Sequence, residues 1–566
     1  MSHQQKSHAF IYKLHSSRLA DANWDLTLPL EEALDNGTDI ISLSDSQLLR
    51  FIDEIRGIDS EARMRELKSQ IAALKNRHDR NGAINRRIKE LYLEMHGIQF
   101  KKDYVCIIMD SLKHYDRCNR GFTINGIRYR RFLGTNNGIK KSTIIYLSED
   151  IYPEIKQRVD CGRNPSQKLI PAKLEAYQAL ICSGSIPVSM PKGIIVVKDV
   201  ETHFTTDAIC LDDSETDEPV ATLIKDRDTV MDASDGYGFM LPALSKRWSG
   251  ELNNEPDKYL SAVNSRGLPW TKGMLFTFDF IDFAEKVAGT YLIKDAWGFT
   301  RDVRDAEVIL TTSMLKLWEG YNSWEEYEYN FKKYHYGFAV AKTAPYELEE
   351  EHKTNYQFLQ SYELTDDEIE ELVQPTIGEI EDVMGLDYRK AILYLKGTHI
   401  DPRSVLWKGA GIAEALMVEP ELINDPYVRS HIRDNIKVRI KQAKTGVLNV
   451  AGNFAIVGGD LYSLAQSMFG LEVTGLMKAD QVYHKFWIDR GVDKICCFRA
   501  PMTSHNNIRV AQVVNSSNSP RFNEMQYWYQ YVTTCILINS WDSIAEALNG
   551  LKDRSPSNWV GLVATP

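Results

Sequence analysis

The sequence predicts an α+β protein in which β-rich, barrel-type modules are joined by helical segments, and three observations carry that reading. A helical pattern fills Ser44 to about Gln99. Short β-type runs, separated by Gly, Asn, Asp and Pro turns, extend from residue 100 to Thr311 and resume at Gly446. At 566 residues the chain is too long for one ordinary core, so several modules must pack together.

Residues 1–100 form the first region. Ser44-Asp45-Ser46-Gln47 fits a capping box, and Leu48, Phe51, Ile52 and Ile55 then recur at helix spacing. Two runs rich in Lys, Arg, Glu and Leu follow, Arg63 to Leu74 and Ile84 to Met95, with His78-Asp79-Arg80-Asn81-Gly82 as the turn between them. They predict an antiparallel helical hairpin with solvated charged faces. A mixed, β-rich segment spans 101–185, with runs at Val105 to Met109 and Thr143 to Leu147. The first barrel module, 186–334, holds Gly193 to Val197, Met274 to Phe280 and Val308 to Thr311. A helical connector is expected over 335–440, where Asp366-Asp367-Glu368-Ile369-Glu370-Glu371-Leu372 opens an acidic amphipathic segment. Gly446-Val447-Leu448-Asn449-Val450 starts a second β-rich module, 441–550, and 551–566 reads as a divergent tail. There is no fixed-period repeat and no low-complexity linker.

Composition narrows the function. With 43% hydrophobic and 26% charged residues the chain reads as soluble and globular. No apolar stretch approaches the roughly 20 residues a membrane span needs, and Met1-Ser2-His3-Gln4-Gln5-Lys6 lacks an apolar signal region, so a cytoplasmic protein without membrane partners is expected. The eight cysteines show no CxxC pairing, which implies neither a zinc site nor a disulfide framework. A net charge of −11 argues against a generally sticky nucleic-acid binder, though it averages unlike segments. Acidic residues crowd Tyr346 to Asp387, whereas Arg128, Arg130, Arg131, Lys140 and Lys141 make one basic segment, so a polynucleotide would lie in a local groove. The absence of GxSxG, HExxH and P-loop patterns argues against a hydrolase.

Two lysines stand out. Asp235-Gly236-Tyr237-Gly238 is by composition a tight turn. Downstream, Thr271-Lys272-Gly273-Met274 places a lysine at a glycine turn leading into a strand, and Thr312-Ser313-Met314-Leu315-Lys316-Leu317-Trp318 places another just after a buried strand. Each lysine read alone is a solvated surface residue; held together, the two could neutralise a triphosphate.

In the order DGYG, TKGM, TSMLKLW, then Phe498-Arg499-Ala500-Pro501-Met502-Thr503-Ser504-His505-Asn506-Asn507-Ile508 and Ala547-Leu548-Asn549-Gly550, the chain resembles the RNA-silencing RNA-dependent RNA polymerases of eukaryotes. It is more similar still to the single-chain RNA polymerases of bacteriophages and prophages. The resemblance covers roughly residues 100 to 550. It implies two double-psi β-barrels, the first matched by the three upstream motifs and the second by the last two. It also implies a nucleotidyltransferase working on a DNA or RNA template with ribonucleoside triphosphates. Lys272, matching the family's Lys-Gly, and Lys316 become the phosphate contacts, and Arg499 faces the incoming nucleotide's ribose and phosphates. Asn549 is implied to bind a 2′-hydroxyl, with His505 and Asn506 as neighbours of the site.

The family uses Mg²⁺ held by an Asp-x-Asp-Gly-Asp loop directly after that asparagine. Here Leu551-Lys552-Asp553-Arg554-Ser555 follows, one carboxylate between two cations, so no metal ligands are assigned to this chain. Arg554 to Pro566 shows neither the missing carboxylates nor the strand expected after them. An incomplete second barrel and an inactive form are therefore expected, through an interrupted gene first of all. A loop supplied by a second polymerase chain, or a non-catalytic nucleic-acid-binding protein on the same barrels, are the alternatives.

Overall fold

Alternating apolar residues build three seven-stranded sheets, which give the chain its mixed α+β architecture. The computed structural model describes residues 9–57, 60–76, 82–135, 138, 141–167, 169–212, 220–232, 236–354, 359, 363–396, 411–498, 508–539 and 560–564. They divide into two compact units, residues 1–343 with 467–471, and residues 344–466 with 472–566.

In the first unit, one sheet runs in the order Asp25–Leu26, Phe122–Ile124, Ile127–Leu133, Thr143–Ser148, Phe100–Ile108, Ala9–His15, Ile40–Leu43. It draws strands from both sides of residue 100 around a core of Tyr12, Leu14, Val105, Ile107, Tyr129 and Tyr146. The helices Ser60–Lys75 and Gly82–Gln99 cluster Leu67, Ile71 and Leu91, and Arg63 Nε donates to Glu94 at 3.0 Å. The expected turn at His78 to Asn81 lies outside the described residues. The helix before them is Gln47–Arg56, and its N-cap is Ser46, which accepts from Leu49 N. This corrects the capping box placed on Ser44 and Gln47.

The second sheet of this unit has the order Ile186–Pro187, Ala339–Thr343, Ala262–Arg266, Gly273–Thr277, Tyr237–Met240, Val308–Thr311, Ile194–Val197. The expected strand Met274 to Phe280 stops at Thr277, because Asp279 caps a short helix, Phe280–Phe283. Ala339–Thr343 and Glu351–Lys353 are strands, so helix does not begin at His335 as expected. Among the described residues no helix is long and apolar enough to cross a membrane.

In the second unit, Asp366–Met384 opens on a true capping box: Thr365 and Glu368 satisfy each other's backbone N–H. With Tyr388–Lys396, Gly411–Val418 and Pro426–Lys444 it encloses Val383, Ala391, Leu416, Ile432 and Ile436. The third sheet is a ring. Asn449–Gly459 runs parallel to Cys535–Ile538, which pairs antiparallel with Gln481–Tyr483, itself parallel to Ile508–Val513. Ile508–Val513 pairs with Lys494–Phe498, and Val560–Ala564 joins that strand back to Asn449–Gly459. The expectation that no strand follows Arg554 is thus corrected: the apolar run Val560-Gly561-Leu562-Val563-Ala564 forms one and closes six strands on themselves.

His484, in this unit, is fully buried, edge-on to Trp487, and neither ring nitrogen has a hydrogen-bond partner among the described residues. Burial alone pulls its pKa down to about 3. The folded pKa lies below the unfolded one, so the unfolded chain takes up the proton first on acidification, and stability falls as pH drops below about 6.5. From pH 6.5 to pH 5 this residue should cost about 2 kcal/mol. Urea unfolding at both pH values checks it, and His484→Leu should remove that part of the pH slope.

Candidate phosphate-binding site

Close backbone contacts bring the three upstream motifs of the first unit to one point. Gly236 takes φ +114°, a left-handed conformation that L side chains rarely adopt, and its carbonyl accepts from Met274 N at 3.0 Å. A Cβ on Gly273 would lie 2.6 Å from Met314 Cγ and 2.7 Å from the Gly236 carbonyl. On Gly238 it would meet the Ile309 carbonyl at 2.2 Å and Met314 Sδ at 3.1 Å. Gly236–Gly238, TKGM and TSMLK are therefore three pieces of one knot around the buried Met314 side chain.

The knot fixes both lysines. Lys272 N donates to Met314 O and Lys316 N to Trp270 O, each at 3.0 Å, on either side of an antiparallel bridge between Thr271 and Leu315. Thr271 and Leu315 are buried, whereas Lys272 and Lys316 are both half-buried. Neither could be placed beside the other from sequence, since 43 residues separate them.

Neighbouring hydrogen bonds hold this geometry. Tyr327 OH donates to Pro269 O at 2.7 Å, and Trp270 Nε1 to Tyr321 OH at 2.9 Å. Tyr321 OH in turn donates to Cys161 O at 2.9 Å. On the Lys316 side, the Ser313 hydroxyl donates to the buried Asp199 carboxylate, Asp199 N donates to Thr312 Oγ1 at 3.0 Å, and Thr311 Oγ1 donates to Tyr237 O at 3.0 Å. Burial pushes the Tyr321 and Tyr327 hydroxyls well up, so they remain neutral donors.

One residue of this neighbourhood escaped sequence reasoning. Arg266 ends the strand Ala262–Arg266 and is only 8% exposed. Its neighbours Ser265 and Gly273 are cross-strand partners, so Arg266 and Lys272 each lie one residue beyond that pair, toward the connecting turn. Nothing in Ser265-Arg266-Gly267 distinguishes a buried arginine from a solvated one.

The basic segment is laid out differently. Arg128 Nε sits 3.1 Å from Glu149, Arg130 stacks over Tyr152 at 4.7 Å, and Arg131 Nη2 is 2.6 Å from Glu175. Arg128 and Arg130 are exposed on the strand Ile127–Leu133, Arg131 is half-buried, and Lys141 is exposed in a turn. Lys140, Arg499, His505, Asn506, Asn549 and Asp553 lie outside the described residues. A serine–histidine–aspartate grouping also appears, with Ser16 Oγ 3.0 Å from His114 Nδ1 and 3.1 Å from Asp110 Oδ2. Ser16 is fully buried, and Asp110 bonds the serine and Ser17 N, so the carboxylate caps the helix Ser16–Asp21 and activates no nucleophile.

No family model matches the chain. It is similar to the DNA-directed RNA polymerase YonO of Bacillus phage SPbeta, 29% identical over 391 residues, which is 67% of this chain and 43% of that protein. Among solved structures, the RNA-dependent RNA polymerase QDE-1 from Thielavia terrestris matches with a TM-score of 0.47 and 13% identity, over 82% of this chain and 49% of that one. The chain thus spans less than half the length of either. The resemblance to phage-type RNA polymerases carried by the ordered motifs holds across two thirds of the sequence.

Proposed function

We propose that this chain holds the phosphates of a ribonucleoside triphosphate in a template-directed RNA polymerase, with Lys272 and Lys316 as the receiving cations. The convergence of three separate motifs on Met314, which holds the backbones of Lys272 and Lys316 on either side of one bridge, carries the reading. Two positioned point charges suit a polyphosphate, whose charge otherwise opposes approach to the strand being extended. The similarity to a phage RNA polymerase supports the same class of reaction. Within it, the two β-rich units correspond to double-psi barrels. Arg499 and Asn549 face the ribose, His505 and Asn506 stand beside them, and the segment with Arg128, Arg130, Arg131, Lys140 and Lys141 guides a DNA or RNA template.

The described residues do not fit a magnesium pair. Among the described residues no group of three His, Cys, Asp or Glu could hold a metal ion, and the window after Asn549-Gly550 offers Asp553 between Lys552 and Arg554. Nucleotide binding is therefore the step proposed for this chain.

Equilibrium binding of a fluorescent ribonucleoside triphosphate tests the reading. Lys272→Ala should weaken it about tenfold or more, the loss of one charge-assisted contact, with Lys316→Ala weakening it in the same direction. Binding that ignores both substitutions would remove the lysines from the site.

A further inference from the structure

Arg266 carries a charge that the described fold does not answer. Its Nη1 donates to the carbonyl of its own neighbour, Ser265, at 2.7 Å, and its Nε is buried without an acceptor. No ion pair to Arg266 exists among the described residues. Other buried or half-buried arginines are treated differently: Arg439 has Glu379 at 2.8 Å, Arg158 has Glu54 at 2.9 Å and Glu154 at 2.7 Å, and Arg131 has Glu175 at 2.6 Å. A buried cation without a counter-charge is costly, and proteins pair it or leave it out. Neutralisation is not an escape: burial lowers the Arg266 pKa only to about 10, so the guanidinium stays charged at neutral pH.

Its position suggests what answers the charge. Arg266 and Lys272 lie one residue past the Ser265–Gly273 pair, and Lys272 and Lys316 flank the Thr271–Leu315 bridge. Two of the three cations thus flank the turn that joins two paired strands, and the third is bridged to that turn through Leu315 and Thr271. Lysines supply point charges, whereas a guanidinium presents a planar fork that matches phosphate oxygens two at a time.

We propose that Arg266 is a third cation of the site, a polyphosphate-binding guanidinium completed by the anion that Lys272 and Lys316 attract. The inference deepens the phosphate-binding reading given above and rests on it. The fold tolerates the unanswered charge because an anion supplies the missing partner. Removing the charge should therefore not harm the empty protein.

Isothermal titration of the full chain with inorganic tripolyphosphate tests this, together with circular dichroism and thermal unfolding in the absence of anion. Arg266→Met should keep the wild-type spectrum and melt at the same or a higher temperature, while its tripolyphosphate affinity falls by about tenfold or more. Arg266→Lys, which keeps charge but loses the fork, should fall between the two. The proposal is overturned if wild type does not bind tripolyphosphate, or if folded Arg266→Met binds it unchanged. It is equally overturned if Arg266→Met fails to fold, because a guanidinium that the fold itself requires is not waiting for an anion. The probe carries neither base nor ribose. A chain that binds tripolyphosphate through Arg266 yet ignores ribonucleoside triphosphates keeps this inference and loses the polymerase reading; the reverse result removes Arg266 and leaves that reading intact.

Discussion

Gly238→Ala should destabilise the first unit by about 3 kcal/mol and abolish nucleotide binding with it. The added methyl would sit 2.2 Å from the Ile309 carbonyl, and that obstacle is backbone rather than the movable end of a side chain. The strand cannot slide away, since Tyr237–Met240 is paired parallel to Met274–Thr277 on one side and antiparallel to Val308–Ile309 on the other. Relief must come from pushing Val308–Thr311 outward. That strand leads through Thr311 and Ser313 to Lys316, so the same displacement separates the two lysines. Gly97→Ala is the control: nothing lies within 4 Å of its added Cβ, and it sits in the helix Gly82–Gln99. It should stabilise by about 0.5–1 kcal/mol, opposite in sign to Gly238→Ala. Urea midpoints of both variants, with nucleotide titrations, decide the matter; a Gly238→Ala midpoint equal to wild type would show that the knot around Met314 is not close-packed.

The glycines and lysines of this knot were legible because their residue types are constrained locally. A positive φ calls for glycine at Gly236, and a glycine turn before a strand marks Lys272. What brings them together was not legible, since it depends on Met314 and on a bridge between residues 44 apart, Thr271 and Leu315. Capping shows the same limit. Ser44 and Ser46 are equally good cap residues, and the choice is made by distant groups: Ser46 bridges to Gly184, and Arg50 ties Asp45 to Ser185. For the basic segment, charge could be counted from sequence, but the partners Glu149 and Glu175 could not. Strands were missed where they are short, as at Ala339–Thr343, or preceded by an unusual run, as at Val560–Ala564. In both cases pairing with strands far along the chain supplies the stability that local pattern lacks.

Arg439→Ala should be costlier than any surface ion-pair substitution, at about 3–5 kcal/mol, and its logic is the inverse of Arg266→Met. Arg439 is 2% exposed, like Arg266 a buried guanidinium, yet every direction is answered: Nε by Glu379 at 2.8 Å, Nη1 by Val447 O at 2.8 Å and Nη2 by Asn449 Oδ1 at 2.9 Å. Truncation leaves the nearly buried Glu379 carboxylate with Asn449 Nδ2 at 3.0 Å and, among the described residues, no cation. It also orphans a carbonyl at the junction of the helix Pro426–Lys444 with the ring strand Asn449–Gly459. Replacing both partners by apolar residues, Arg439→Met with Glu379→Leu, removes the stranded charge and should recover much of the loss, so a double-mutant cycle should show strong coupling. Denaturant unfolding of the single and double variants measures it. If Arg439→Ala costs no more than an exposed pair such as Arg63 with Glu66, or if the double variant is as unstable as the sum of its parts, burial is not what gives this arginine its weight. Two buried arginines in one chain thus have opposite expected responses to losing their charge, and what separates them is whether the protein or a ligand provides the anion.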